Sequence, residues 1–396
     1  MARHVVVVGA SLAGLRAVEA LRRRGHEGSI TLIGDEAHPP YDRPPLSKQV
    51  LCGAWAPERV PFRQKEGYDP LNVDVRTGVR ATSLERFDNR VALSEGGPIS
   101  FDGLVIATGA GPRTLPGASD LSGVFVLRTL DDALALKGAL VPGARVVVVG
   151  AGFIGLEVAS ACRSLGLPVT AVELAEVPLS STLGERMGRA IMSLHADHGV
   201  EFCTGVGVQE LQGEGCVEAV LLSDGRTLAA DVVVLGIGVR PNVGWLEGSG
   251  VEVEDGVVCD ETCATSRPNV VAAGDVASFY NPRFGIRQRV EHWTNAGEMA
   301  DAAVRRLLEG PEVEPYAPVP YFWSDQYDVK IQFAGHVQPG DDFLMLDGAP
   351  GERKLVAVYG REGRLTGAVT WNRPPKLIAL RRAIGQGGLL SDVKEA

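Results

Sequence analysis

Three kinds of residue in this chain have types and spacings that can do chemistry. They are glycines directly after buried strands, acids at the ends of the next strands, and a lysine set in a run of prolines. The first glycine turn lies in HVVVVGASLAG, His4 to Gly14, with Gly9 first, Ser11 in the middle place and Ala13–Gly14 last. Such a turn lets backbone approach a pyrophosphate, and the helix after it offers free N–H groups and the positive end of its dipole. The second turn is complete: Gly150, Gly152 and Gly155 in GAGFIGLEVA form G-x-G-x-x-G. Asp35 follows Gly14 by 21 residues and Glu173 follows Gly155 by 18. These are the places where a dinucleotide site sets its ribose-binding carboxylate. Glu36 is the neighbouring candidate for the first acid. A carboxylate at 173 accepts from a 2′-hydroxyl and repels a 2′-phosphate. No arginine follows within Leu174 to Leu179, so the second site is expected to prefer NADH over NADPH.

These residues need strands and helices to hold them. Val5 to Val8 reads as a strand buried on both faces. Leu12, Leu15, Val18 and Leu21 recur at helical spacing, with Arg22 to Arg24 and Gly25 suited to the helix end. Ser29 to Ile33 is the second strand. Arg145 to Val149 and Val169 to Val172 repeat the arrangement around the second turn. Between the two units, HPPYDRPPLSK carries four prolines and cannot be helical until after Pro45, where Leu46 to Leu51 can begin a helix. This stiff approach can hold Lys48 at a fixed place, or it can be a plain loop.

Residues 72 to 100 read as short strands with turns at Asp88–Asn89 and Glu95–Gly97. Leu104 to Ala107 is a buried strand ending in Thr108–Gly109, at the sheet edge where ligands bind. ADVVVLGIGVRPN, Ala230 to Asn242, is a strand into a glycine turn, and RPNVVAAGDVA ends a strand at Gly274–Asp275. Asp275 can bind a ribityl hydroxyl or simply cap a helix. From about residue 317 aromatic residues concentrate in PYFWSDQYDVKIQFAGH and alternating strands follow to Trp371, which suggests a small α+β domain. Arg373, Lys376, Arg381 and Arg382 follow with no acid among them. They make either a solvated helix face or a docking patch for an acidic protein.

At 396 residues the chain exceeds one ordinary core. A net charge of −10 argues against nucleic acid or an anionic membrane as partner. No apolar run is long enough to span a bilayer, and a strand beginning by residue 5 leaves no room for a signal peptide. Six scattered cysteines without C-x-x-C suggest free thiols in a reducing cytoplasm, and no metal set is expected. Two mononucleotide folds in one chain suggest two dinucleotides, a tightly held flavin and a diffusible nicotinamide.

RPPLSK, GAGFIGLEVA, GIGVRPN, AAGDVA and FWSDQY together resemble the NADH-dependent ferredoxin reductases of the putidaredoxin-reductase type, over essentially the whole chain. These are flavoproteins of the glutathione-reductase-like class. The resemblance implies an α/β fold with two Rossmann-like dinucleotide-binding domains and a small α+β C-terminal domain. The FAD domain would comprise 1–113 and 242–316, the NAD domain 114–241 and the last domain 317–396. It implies an FAD site at Gly9, Ser11, Ala13, Gly14, Asp35, Arg43, Pro45, Lys48, Ala81, Thr108, Gly109, Asp275 and Trp293. For NADH it implies Gly152, Phe153, Ile154, Gly155, Glu173 and, at the nicotinamide end, Gly238. Lys48 and Glu157 would be the catalytic pair, with Lys48 stabilising negative charge on reduced flavin and Glu157 holding the lysine. A structural salt bridge is the plainer reading of that pair.

The activity implied is hydride transfer from NADH to FAD, then single-electron transfers to a ferredoxin that serves an oxygenase. Ser11 departs from the usual middle glycine, and the stretch after Trp371 departs from the family pattern. A disulfide reductase would need a cysteine pair beside the flavin, and Cys52 has no partner nearby in sequence. The alternatives are a rubredoxin reductase, or an FAD- and NADH-binding scaffold resembling apoptosis-inducing factor.

Overall fold

The computed structural model describes residues 3–393. The chain folds as two compact units. The first is built from the segments before residue 43, from 60 to 111, and from 240 to 321. The second takes 43–59, 112–239 and 322 onward.

In the first unit, His4–Val8 is central to a five-stranded parallel sheet. The strand order is Val270–Ala272, Gly103–Ile106, His4–Val8, Ser29–Ile33 and Val73–Arg76. Val5, Val6 and Val7 are fully buried, as expected of a strand covered on both faces. The helix Leu12–Arg23 lays Leu15, Val18 and Leu21 into the same core and ends with Arg22 and Arg23 in its last turn. Gly25 then takes φ +81°, the left-handed conformation that stops a helix. The helix Trp293–Glu309 packs against Leu12–Arg23.

The second unit repeats the plan. Its parallel sheet runs Val200–Thr204, Val169–Glu173, Val146–Val149, Val232–Leu235 and Val124–Val126. The helix Phe153–Ser164 follows the central strand. A second sheet in this unit is antiparallel: Tyr321–Gln326, Val329–Gly335, Arg364–Trp371, Lys354–Arg361 and Asp342–Ala349. Pro374–Gly385 is helical, with Leu377, Leu380 and Ile384 inward and Lys376 and Arg382 exposed. One core joins Leu156, Leu183, Met187 and Ile191 to Ile331, Phe333, Tyr359 and Trp371.

Two local details differ from the sequence reading. Leu46–Val50 is a single π-helical turn in place of the start of an ordinary helix. Pro45 lacks an N–H, and its carbonyl accepts from the N–H of Val50 at 3.0 Å, five residues on. Asp275 caps no helix. It lies in a turn between the strands Val270–Ala272 and Ala277–Asn281.

Candidate functional site

The two glycine turns share one construction. In the first, the N–H of Gly9 donates to Ile33 at 2.7 Å and that of Ala107 to Val8 at 2.7 Å. In the second, Gly150 donates to Val172 at 2.8 Å and Gly236 to Val149 at 2.7 Å. A Cβ on Gly14 would stand 1.9 Å from the carbonyl oxygen of Gly9, and one on Gly155 2.1 Å from that of Gly150. Gly9 and Gly150 have positive φ, and Cβ atoms there would strike Ala107 and Gly236 backbone. Only glycine lets helix, turn and neighbouring strand come this close. The middle position is different. Ser11 and Gly152 both have negative φ and extended backbone, so a serine is compatible there. A Cβ on Gly152 would meet no protein atom within 4 Å, which leaves open space over the helix start. The first N–H groups of each helix, at Leu12, Ala13 and Gly14 and at Phe153, Ile154 and Gly155, have no intrahelical acceptor. This arrangement fits a pyrophosphate at each turn.

Around the first turn the remaining first-unit residues gather at the same sheet edge. Gly274 has φ +78°, and a Cβ on it would lie 2.9 Å from that of Ala13, so the turn carrying Asp275 abuts the helix start. Asp275 also acts electrostatically on half-buried His292, the residue preceding the helix that begins at Trp293. The Trp293 indole Nε1 donates to Asp42 at 2.7 Å. Thr108 and Asn242 exchange bonds: Thr108 Oγ1 donates to the Asn242 carbonyl at 2.8 Å and Asn242 Nδ2 to that of Thr108 at 2.9 Å. Gly109 has φ +63°. Asp35 is more than half exposed and pairs with Arg80 at 3.2 Å, while Glu36 accepts from the Tyr41 hydroxyl. Ala81 opens the short strand Ala81–Leu84.

In the second unit both oxygens of Glu173 are held by backbone: Oε2 accepts from Ala151 N–H at 2.8 Å and Oε1 from Ala175 N–H at 2.9 Å. The acid therefore stands fixed at the mouth of the glycine turn. Gly238 has φ +91°, and its carbonyl accepts from Arg113 at 2.9 Å. The π-helical turn puts Ser47 and Lys48 side by side against Glu157 on the helix Phe153–Ser164. Lys48 Nζ lies 2.6 Å from Glu157 Oε2, and Ser47 Oγ donates to the same oxygen. Lys48 is 13 % exposed and Glu157 7 %, so this is a nearly dry ion pair. Arg43 donates to the Arg128 carbonyl, which anchors the start of the proline segment. Ser324 lies inside the FWSDQY motif, though the motif assigned it no role; its hydroxyl donates to Glu157 Oε1 at 2.7 Å.

Two histidines, the fully buried His195 and the half-buried His292, each have a pKa lowered to about 4, chiefly because desolvation disfavours the charged ring. In the unfolded chain both titrate near 6.5. The unfolded state therefore binds more protons between pH 6.5 and 4, and stability falls as pH drops through that window. The expected loss from pH 7 to pH 5 is about 2 kcal/mol per histidine. Denaturant titrations followed by circular dichroism at the two pH values check this, and equal stabilities would contradict it.

A glycine-turn cradle on each of two parallel sheets, with a buried lysine–carboxylate pair beside the second, defines a two-dinucleotide flavoprotein oxidoreductase. Residues 3–300 match the pyridine nucleotide-disulphide oxidoreductase family model, and 321–395 match the reductase C-terminal model, which corrects the expectation that the stretch after Trp371 departs from the family pattern. The anthranilate 1,2-dioxygenase system ferredoxin–NAD(+) reductase component of Burkholderia cepacia is 37% identical over 97% of this chain and 94% of its own. Putidaredoxin reductase of Pseudomonas putida is 35% identical over 94% and 89%. The solved covalent putidaredoxin reductase–putidaredoxin complex matches with TM-score 0.93 and 33% identity, over 97% of this chain and 93% of that one. The chain belongs to the pyridine nucleotide-disulphide oxidoreductase family and, within it, to the ferredoxin–NAD(+) reductases.

Proposed function

We propose that the protein carries electrons from NADH through FAD to a small iron–sulfur protein that serves an oxygenase, either a haem monooxygenase or a ring-hydroxylating dioxygenase. The observation that carries this reading is the duplicated cradle, with Lys48 and Glu157 packed in the unit that holds the second one. Bound FAD supplies the conversion of a two-electron donor into one-electron steps. The residues do the rest. Ala13 and Gly14 N–H groups and the adjoining helix dipole hold the FAD pyrophosphate, Asp35 the adenosine ribose and Asp275 the ribityl chain. Arg43, Pro45, Ala81, Thr108, Gly109 and Trp293 complete that site. Phe153, Ile154 and Gly155 hold the NADH pyrophosphate, Glu173 the ribose, and Gly238 leaves room for the nicotinamide end. Lys48 places a positive charge where reduction of the flavin builds negative charge, and Glu157 fixes the lysine.

We assign FAD binding to 1–113 and 242–316, NADH binding to 114–241, and the closing domain to 317–396. Lys376, Arg381 and Arg382, with Arg373 at the head of their helix, are proposed as the docking region for an acidic ferredoxin. Arg373 also pairs with Asp347 at 3.4 Å. Among the described residues no helix is long and apolar enough to cross a membrane. We assign the protein to the cytoplasm.

The test is NADH-driven reduction of a panel of small iron–sulfur proteins, ferredoxins and rubredoxins included. Fast reduction of a [2Fe–2S] ferredoxin is the expected result. Slow turnover with every carrier, together with a long-lived NAD–flavin complex, would instead favour a redox-sensing scaffold.

A further inference from the structure

Glu157 sits at the end of a line of polar side chains that the ferredoxin-reductase reading does not use. From the carboxylate outward they are Ser324, Gln326, His195 and Tyr327. Ser324 and Gln326 lie on the strand Tyr321–Gln326 and are fully buried. His195, on the helix Ser180–Asp197, is also fully buried. The links are Ser324 Oγ to Glu157 Oε1 at 2.7 Å and Gln326 Nε2 to Ser324 Oγ at 3.0 Å. His195 Nε2 lies 2.9 Å from Gln326 Oε1, and Tyr327 Oη lies 3.1 Å from His195 Nδ1.

The charge of Glu157 dictates the direction of every link. A carboxylate paired with Lys48 can only accept, so the single hydroxyl proton of Ser324 must point to Glu157. Ser324 Oγ must then accept from Gln326, which places the amide nitrogen on the serine and the amide oxygen on His195. That oxygen can only accept, so His195 carries its proton on Nε2. The neutral ring then has one acceptor, Nδ1, which takes the Tyr327 hydroxyl proton. Neutrality of the ring agrees with its burial, which disfavours the imidazolium. Burial raises the Tyr327 phenol well above its usual pKa and so keeps its proton in place, against the opposing pull of Arg163. His198 stacks on the Tyr327 ring at 3.6 Å and disfavours a charged His195, and Phe202 meets His195 edge-on.

We propose that Ser324, Gln326 and His195 form a one-way line of hydrogen-bond donors that commits one oxygen of Glu157 and leaves the other, which also accepts from Ser47, for Lys48; this makes them positioning residues for the lysine. The proposal rests on the reading that Lys48 acts at the flavin. The line does not conduct protons, because a primary amide in its middle cannot pass one on without becoming an imidic acid. Its effect is orientational. Without the Ser324 donor, Glu157 turns to take Lys48 with both oxygens, and the ammonium is drawn back from the place where it is needed.

The backbone is built to hold this line. Tyr327 opens the two-residue turn before Val329–Gly335 with φ +54°, a conformation that a tyrosine rarely adopts. Its N–H donates to Ser160 Oγ at 2.9 Å, on the same helix as Glu157. The turn is therefore tied to the helix that carries the carboxylate.

The experiment is a double-mutant cycle on the FAD-loaded protein. Ser324→Ala and Gln326→Leu are each made alone and in a Lys48→Met background. The readouts are the flavin midpoint potential, the rate of flavin reduction by NADH, and the thermal midpoint as a check on folding. Each single variant is expected to shift the potential negative and slow reduction roughly tenfold. In the Lys48→Met background neither is expected to change potential or rate further. A purely structural contribution would lower the thermal midpoint alike in both backgrounds and leave the potential in place. Equal shifts with and without Lys48, or no shift in either variant, would overturn the proposal. If Lys48→Met alone leaves potential and rate unchanged, the reading of Lys48 itself fails, and the two failures are thereby told apart.

Discussion

Lys48→Met is expected to slow reduction of the flavin by NADH roughly 100-fold while the protein keeps its FAD. Methionine keeps an unbranched apolar stem of nearly the same length and removes the terminal ammonium, with its charge and its donors. The remaining contacts of the π-helical turn, including the Cys52 N–H on the Lys48 carbonyl at 2.9 Å, do not involve the ammonium. The loss of rate thus reports the charge. Stability must be followed as well, because the change strands Glu157 as a buried carboxylate. Breaking one side of a buried pair costs about 3–5 kcal/mol. The double variant Lys48→Met/Glu157→Gln separates the two effects: it recovers much of the stability and none of the rate. Stopped-flow reduction at the native rate in Lys48→Met would remove the lysine from the mechanism and leave it as a structural ion pair.

Gly14→Ala and Gly155→Ala are expected to give opposite phenotypes. A Cβ at 14 meets a backbone oxygen at 1.9 Å, and one at 155 meets the corresponding oxygen at 2.1 Å. Neither contact can be relieved by a side-chain rotation, so each turn must open. Opening the first turn is expected to yield a colourless protein that neither binds nor retains FAD. Opening the second is expected to leave the protein yellow and raise the Kd for NADH at least tenfold, since one displaced pyrophosphate contact is worth on the order of 1.5–3 kcal/mol. Gly152→Ala sharpens the assignment. Its Cβ touches no protein atom, so the fold is unperturbed, and a weakened NADH affinity there places the ligand in the space over the helix start. A yellow Gly14→Ala protein, or a Gly155→Ala protein with native NADH affinity, would contradict the division of labour between the turns.

Much of this was legible in the sequence because the chemistry is local. A glycine turn, its strand and the acid after the next strand lie within about 30 residues and leave a spacing that can be read. Ser29–Ile33 is the strand expected, and the strand before Thr108 begins at Gly103, a residue earlier than its reading. The serine at position 11 departs from the motif without harm because the backbone there has negative φ. Asp275 was ambiguous between ligand and helix cap because both uses put an acid after a strand. Only the following strand, Ala277–Asn281, removes the cap. The resemblance put Lys48 beside Glu157, but the other partners of that carboxylate were not legible. Ser324 reaches it across 167 residues, and His195 reaches Gln326 across 131. Such partners are set by packing between elements and leave no periodicity or motif spacing. Likewise the π-helical turn at Lys48 follows from Pro45 accepting five residues ahead, a choice that propensities do not report.

The measurement that bears most directly on the account is an anaerobic titration of the purified protein followed in the visible spectrum. The account predicts a flavin band that is bleached by a stoichiometric amount of NADH, resists the same amount of NADPH, and returns when an oxidised [2Fe–2S] ferredoxin is added. A protein without that band, or one whose band NADH leaves unchanged, would contradict it.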